Sequence, residues 1–103
     1  MTVIVDLCVV PLGVGLSVSA YVAACERVIR EAGLKSQLHA YGTNIEGEWD
    51  EVMALIGKCH REALKEAPRA LTTVIIDDRP GKTDRITEKI RSVETKLGRE
   101  LRK

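Results

Sequence analysis

Two segments carry β-branched residues at a density that marks buried strands: residues 3–12, reading VIVDLCVVPL, and residues 69–77, with Thr72, Thr73, Val74, Ile75 and Ile76 at their centre. Side chains alternate along a strand, so Val3, Val5, Leu7 and Val9 share one face of the first segment, and Ile4, Asp6, Cys8 and Val10 share the other. Asp6 is the one strongly polar side chain among them. In the second segment Leu71, Thr73, Ile75 and Asp77 alternate with Thr72, Val74, Ile76 and Asp78, and again neither face is convincingly solvated. An antiparallel sheet with water on one side ordinarily turns polar residues towards it. The pattern therefore predicts a sheet covered on both faces, one by the chain's own helices and the other by a further helix or a second copy of the chain.

Helical and strand periodicities fill the rest. Ser17 and Ser19 are good N-cap residues, and Val18, Val22, Cys25, Val28, Ile29 and Ala32 follow at helical spacing until Gly33, which predicts a helix over about 18–32. Residues 37–41 and 43–46 read as two short strands of a hairpin around Gly42. From Asp50 the apolar set Val52, Met53, Ile56, Cys59, His60, Ala63 and Leu64 recurs at three and four, which predicts a helix over about 49–67 that Pro68 stops. After the polar turn of Asp78, Arg79, Pro80 and Gly81, Thr83 or Asp84 can cap a third helix with a narrow stripe of Ile86, Ile90, Val93, Leu97 and Leu101. The order βαββαβ, then α, predicts an α+β fold of the ferredoxin-like type: a four-stranded antiparallel sheet with an additional C-terminal helix. A length of 103 residues with 45% hydrophobic content suits one such domain over 1–103.

Charge and cysteine content bound the function. Sixteen Lys and Arg against fifteen Asp and Glu leave a net charge of +1, with no field that would draw nucleic acid or an anionic membrane. No apolar run approaches the roughly 18 residues that span a bilayer, and residues 1–12 lack the basic leader and cleavage site of a signal peptide. Cys8, Cys25 and Cys59 are odd in number and set in apolar stretches, as reduced structural thiols are. A soluble cytoplasmic protein is expected. Cys59 and His60, adjacent on a helix, point in different directions, and no CxxC or HExxH accompanies them, so no metal site is expected.

Three motifs could carry chemistry. Pro11, Leu12, Gly13, Val14 and Gly15 follow a strand and precede a helix, where backbone N–H groups near Gly13, Gly15 and Ser17 could receive an anionic or polar group; the third glycine of GxGxxG and the GK[ST] of a phosphate loop are missing, and a plain strand-to-helix turn is the simpler reading. Thr43, Asn44, Ile45 and Glu46 lie between Gly42 and Gly47, as turn chemistry or as ligand groups; Thr43 and Glu46 need a bulge to converge on a heteroaromatic ring. Asp77, Asp78 and Arg79 end the last strand as a cap and surface ion pair, or as paired carboxylates. No nucleophile with an evident base accompanies them, so no catalytic residue is assigned and the chain is read as a non-enzyme. His39 and His60 sit in apolar periodic segments, as structural histidines do, and Trp49 starts the second helix.

In order and spacing, the Val9-Val10-Pro11-Leu12-Gly13 strand end, the Ser17-Val18-Ser19-Ala20-Tyr21-Val22 helix start, the Gly42-to-Gly47 hairpin and the Ile75-Ile76-Asp77-Asp78-Arg79 strand end resemble the small thiamine-binding protein family over nearly the whole chain. That resemblance implies a ferredoxin-like fold and homotetramers built as dimers of dimers. It also implies binding of thiamine or its hydroxymethylpyrimidine portion near a subunit interface, with no further cofactor. Carried over position by position, the expected ligand contacts are Pro11, Leu12, Gly13, Ser17, Ser19, Thr43, Glu46 and Asp77. An aminopyrimidine offers a donor and ring acceptors to a threonine, a carboxylate and backbone groups, while a cationic thiazolium favours a carboxylate. The competing reading is an interaction protein that docks another protein through its apolar sheet face.

Overall fold

The computed structural model describes residues 2–14, 19–80 and 84–98. They form β1 (Thr2–Leu12), α1 (Ser19–Ala32), β2 (Lys35–His39), β3 (Gly42–Glu48), α2 (Trp49–Leu64), β4 (Arg69–Asp77) and α3 (Arg85–Leu97). The expected caps Ser17 and Thr83, together with Gly15, Val18, Gly81 and Leu101, lie outside the described residues. The strands make one sheet in the order β2-β3-β1-β4 with every neighbouring pair antiparallel. This is the ferredoxin-like α+β arrangement, with α3 as the extra helix.

The inward row of β1 meets the two long helices. Val3, Val5 and Leu7 pack with Ile45 of β3, Ile29 of α1 and Val52, Leu55 and Cys59 of α2, all buried. Each such side chain contributes about 1.5–3 kcal/mol by leaving water. His60 extends the seam, its Nδ1 2.6 Å from Thr72 Oγ1 of β4, so this histidine ties α2 to the sheet. Gly33, at φ +74, closes α1, and its N–H donates to Arg30 O at 3.1 Å. The second helix stops at Leu64, three residues short of the expected end. Ala67 precedes Pro68, and a residue before proline is driven out of helical geometry, so only turn-like bonds such as Ala67 N–H to Ala63 O continue the chain.

Helix α3 lies over the opposite face, on the β3 side. Asp84 occupies its N-cap position, but with φ 55 and no side-chain capping bond; its carboxylate is taken by Lys35 of β2, which holds it below the usual carboxylate range. The carboxylate that caps this helix belongs instead to Glu46 of β3. Ile86 is buried there, and so is Ile4 of β1. The β1–β4 half of that face stays open: Val10, Leu71 and Ile75 are 36%, 53% and 62% exposed. Thus α3 covers part of the second apolar face and leaves the rest as a strip.

The partners of β1 differ in length, and the mismatch opens a notch in the sheet. Pairing of β1 with β3 ends at Leu7↔Thr43, whereas pairing with β4 runs on from Cys8↔Thr73 to Leu12↔Arg69. Beyond Leu7, β1 therefore has a strand on one side only. The tip of the β2–β3 hairpin, Ala40 and Tyr41, stands beside this notch.

Candidate ligand site

The notch opens into a cavity of about 310 Å³ between β1, the β2–β3 tip and α1. Ligand pockets for small molecules start at about this size. Its walls are apolar: Leu7 and Val9 from β1, Val22, Cys25 and Ile29 from α1, and Leu38 from β2, with Cys8 and Val10 on the side that continues into the open strip. Successive residues of a strand turn their N–H and C=O to alternate sides, so at least one of residues 8–10 directs both groups into the notch, where no strand pairs with them.

Its polar lining residues are Glu26 and Thr43 on the helix-facing side, with His39 and Tyr41 at the hairpin tip. Thr43 is buried on the helix-facing side of β3, and its Oγ1 donates to Glu26 Oε1 of α1 at 3.3 Å. A carboxylate has about four lone-pair sites, so this bond leaves Glu26 with acceptor capacity beside the cavity. His39 Nε2 is 2.6 Å from Asp6 Oδ1, and the Tyr41 N–H donates to His39 Nδ1 at 3.2 Å. Deeper in the wall, Cys25 and Cys59 face each other across the two helices. The Cys25 thiol donates to Cys59 O at 3.6 Å and the Cys59 thiol to Cys25 O at 3.9 Å. The neighbouring Cys25 thiol and burial push Cys59 above the ordinary thiol range, which keeps it inert.

Of the residues singled out by sequence, Thr43 lines this cavity. Pro11, Leu12 and Gly13 continue β1 beyond the notch; Pro11 and Leu12 pair with Ala70 and Arg69, and Gly13 turns at φ +82 where an added Cβ would stand 2.8 Å from Pro68 Cγ. Their tight turn is accounted for by that close approach. Ser19 opens α1 one turn before Val22, and Ser17 lies outside the described residues. The bulge that would unite Thr43 with Glu46 is absent, since β1 and β3 pair without a break from Leu7↔Thr43 to Thr2↔Glu48. The two side chains therefore point to opposite faces. Glu46 is buried beneath α3, accepting the Arg85 N–H on Oε2 at 2.6 Å and the Ile86 N–H on Oε1 at 3.4 Å. Asp77 lies at the far end of β4, opposite Ile4, and pairs with Lys89 of α3 at 3.0 Å, which lowers its carboxyl below the usual range.

Sequence reasoning did not single out Glu26, whereas His39, read as structural, has both ring nitrogens engaged, by Asp6 and by the Tyr41 N–H. A signal for Glu26 was present: it is an acid set between Val22, Cys25 and Ile29 on the apolar side of α1. Among the described residues no group of three or more His, Cys, Asp or Glu is placed to hold a metal ion. No helix among them is long and apolar enough to cross a membrane.

The sheet order, the paired helices and the pocket at the hairpin tip define a ferredoxin-like domain with a cavity of small-molecule size. The chain belongs to the thiamine-binding protein family, whose model matches residues 5–94. It is 57% identical over 99 residues to the UPF0045 protein sll0230 of Synechocystis, covering 94% of this chain and 81% of that one. To the UPF0045 protein ECM15 of Eremothecium gossypii it is 45% identical over 96 residues, 91% of each. Among solved structures, the hypothetical protein MJ1052 of Methanocaldococcus jannaschii superposes with a TM-score of 0.84 at 32% identity, over 89% of this chain and 95% of that one. A Thermotoga maritima protein described as a candidate thiamine biosynthesis/salvage protein does so with a TM-score of 0.80 at 25% identity, over 90% and 99%.

Proposed function

We propose that the chain is a non-catalytic binder of thiamine, or of its aminopyrimidine portion, and that the ligand occupies the cavity at Thr43. The single observation that carries this reading is a part-buried hydroxyl–carboxyl pair, Thr43 with Glu26, at the wall of a mainly apolar cavity. Such a cavity accepts a flat heterocycle, and the pair matches its polar edge. Glu26, held by the Thr43 hydroxyl that donates to it, accepts from an exocyclic amine, and the backbone of residues 8–10 supplies donors and acceptors for the ring nitrogens. A cationic thiazolium is favoured by the same carboxylate. Membership of a family described as thiamine-binding supports the reading, as does the candidate thiamine role of the Thermotoga maritima relative.

Calorimetric titration with thiamine, hydroxymethylpyrimidine and thiamine phosphates tests it. Saturable heat that Glu26→Gln weakens is the expected result. Folded protein that gives none at about millimolar ligand, where binding is worth only about 4 kcal/mol, overturns the proposal.

Assembly belongs to the same proposal. Cys8 and Val10 line the cavity and border the strip formed with Leu71 and Ile75, so a second copy seated on that strip would extend the cavity wall. A homotetramer, made as a dimer of dimers and acting in the cytoplasm, is the proposed form. Native mass spectrometry reports subunit number and carried ligand together. Val10→Glu is expected to weaken both, and separate loss of the two contradicts a shared site.

A further inference from the structure

We propose that the ligand site continues past Glu26 into an anion subsite at Arg30, and that the preferred ligand is an aminopyrimidine bearing a phosphate ester beside its amine. The inference rests on the cavity at Thr43 being the place where an aminopyrimidine binds, and it adds which chemical form of that ligand the site takes.

Helix α1 packs against α2 and leaves the β2 border of the sheet uncovered. Residues paired across neighbouring strands share a face, so Leu38, opposite Thr43, and Ser36, opposite the core residue Ile45, turn to the helix-facing side. Leu38 is nonetheless 55% exposed, because no helix lies over it. Between α1 and this row lies a second, more open hollow of about 700 Å³, lined by Glu26, Arg30, Gly33, Leu34, Ser36 and Leu38. Glu26 and Leu38 also line the cavity at Thr43, so the two hollows meet at these side chains and form one trough on one face of the sheet.

The trough carries one charge of each sign on that side. Val22, Glu26 and Arg30 recur every four residues along α1, which sets them in a row with about 5–6 Å between neighbouring Cβ atoms. Glu26 and Arg30 do not pair with each other. Glu26 holds the Thr43 hydroxyl at 3.3 Å, and no carboxylate among the described residues forms an ion pair with Arg30. Its guanidinium is always charged, and the planar fork matches two oxygens of a phosphate. A place in the last turn of α1 also suits the helix dipole, but that role bears on stability alone and needs no trough.

The spacing selects the ligand. With the ring in the Thr43 cavity and its exocyclic amine on Glu26, a substituent on the adjacent ring carbon extends one helical turn along α1, towards Arg30. A hydroxymethyl group there offers the guanidinium no charge. Its phosphate ester offers a dianion, to which Ser36 adds a hydroxyl from the opposite wall.

Calorimetry with hydroxymethylpyrimidine, its phosphate monoester and inorganic phosphate tests this. The wild type should bind the ester at least about tenfold more tightly than the alcohol. Arg30→Gln should bring the two affinities within about twofold of each other, and Arg30→Lys should keep part of the preference, since the charge stays and the fork goes. Arg27→Gln removes the same charge from another side of α1, away from the trough, and should leave the preference as in the wild type. Urea unfolding confirms that each variant is folded. Equal affinity of the wild type for alcohol and ester overturns the proposal while the aminopyrimidine reading stands, as does a preference that Arg30→Gln leaves intact or Arg27→Gln abolishes. Inorganic phosphate binding as tightly as the ester shows that the ring adds nothing and overturns both, and so does a wild type that binds neither pyrimidine.

Discussion

Glu26 and Glu46 meet β3 on its two opposite faces, and they are employed in opposite ways. Glu46, on β3 itself, lies under α3 and accepts two backbone N–H groups from the helix's first turn, at 2.6 and 3.4 Å. The positive end of the helix meets the carboxylate, and both oxygens are engaged. Glu26 comes from α1, meets the single hydroxyl of Thr43 at 3.3 Å, and borders a cavity. A saturated acid holds a structure together; an acid with spare acceptor sites beside a hollow is available to a ligand. The carboxylate within the Gly42-to-Gly47 motif is thus a cap for a helix, and the one that faces the cavity is recruited from another element.

Four substitutions put that contrast at risk. Glu46→Ala removes the cap of α3 and leaves two N–H groups buried, at a cost of about 2–3 kcal/mol in urea unfolding, while thiamine affinity of the folded protein stays the same. Gly42→Ala places a methyl group against Leu7 O and should cost about 1–3 kcal/mol of stability. Thr43→Val is the converse of Glu46→Ala: stability within about 1 kcal/mol of the wild type, but thiamine affinity down about tenfold in calorimetry, because the hydrogen bond to a charged group is lost. An equal effect of Glu46→Ala and Thr43→Val on binding would erase the distinction between the two faces.

The smallest effect belongs to Asp77→Asn. Lys89 depresses the Asp77 carboxyl in the folded chain, so the contribution is present above the unfolded carboxylate range, about pH 4, and disappears as pH falls through the depressed value. Melting curves of Asp77→Asn and wild type should therefore differ slightly at about pH 7 and coincide at about pH 2. A gap that widens on acidification contradicts the pairing.

Much of the fold is legible in the chain because its determinants are local. The β-branched runs mark β1 and β4, Gly33 and Pro68 punctuate the helices, and the spacing of Val52, Leu55 and Cys59 places α2 on the core. The end of α2 is less so, since the retreat of the helix before Pro68 is a matter of a few residues' geometry. The site is hardest to read. Thr43 meets Glu26 across 17 residues and Asp6 meets His39 across 33, and no local periodicity encodes either contact. The motif containing Thr43 and Glu46 draws attention to the right hairpin, but strand alternation sends its two polar groups to different faces. Asp6, conspicuous as the lone acid in an apolar strand, is explained only once β2 is known to lie two strands away with a glycine between.

The central claim is that the ligand enters at the hairpin tip, on the Thr43 and Glu26 side of the sheet. Titration of ¹⁵N-labelled protein with thiamine, followed by amide chemical shifts, tests this most directly. The largest and saturable changes should fall on Val9, Val22, Glu26, His39, Tyr41 and Thr43, which surround the cavity. Changes centred instead on Lys35, Glu46, Ile86 and Arg91, beneath α3 on the other face, would contradict it.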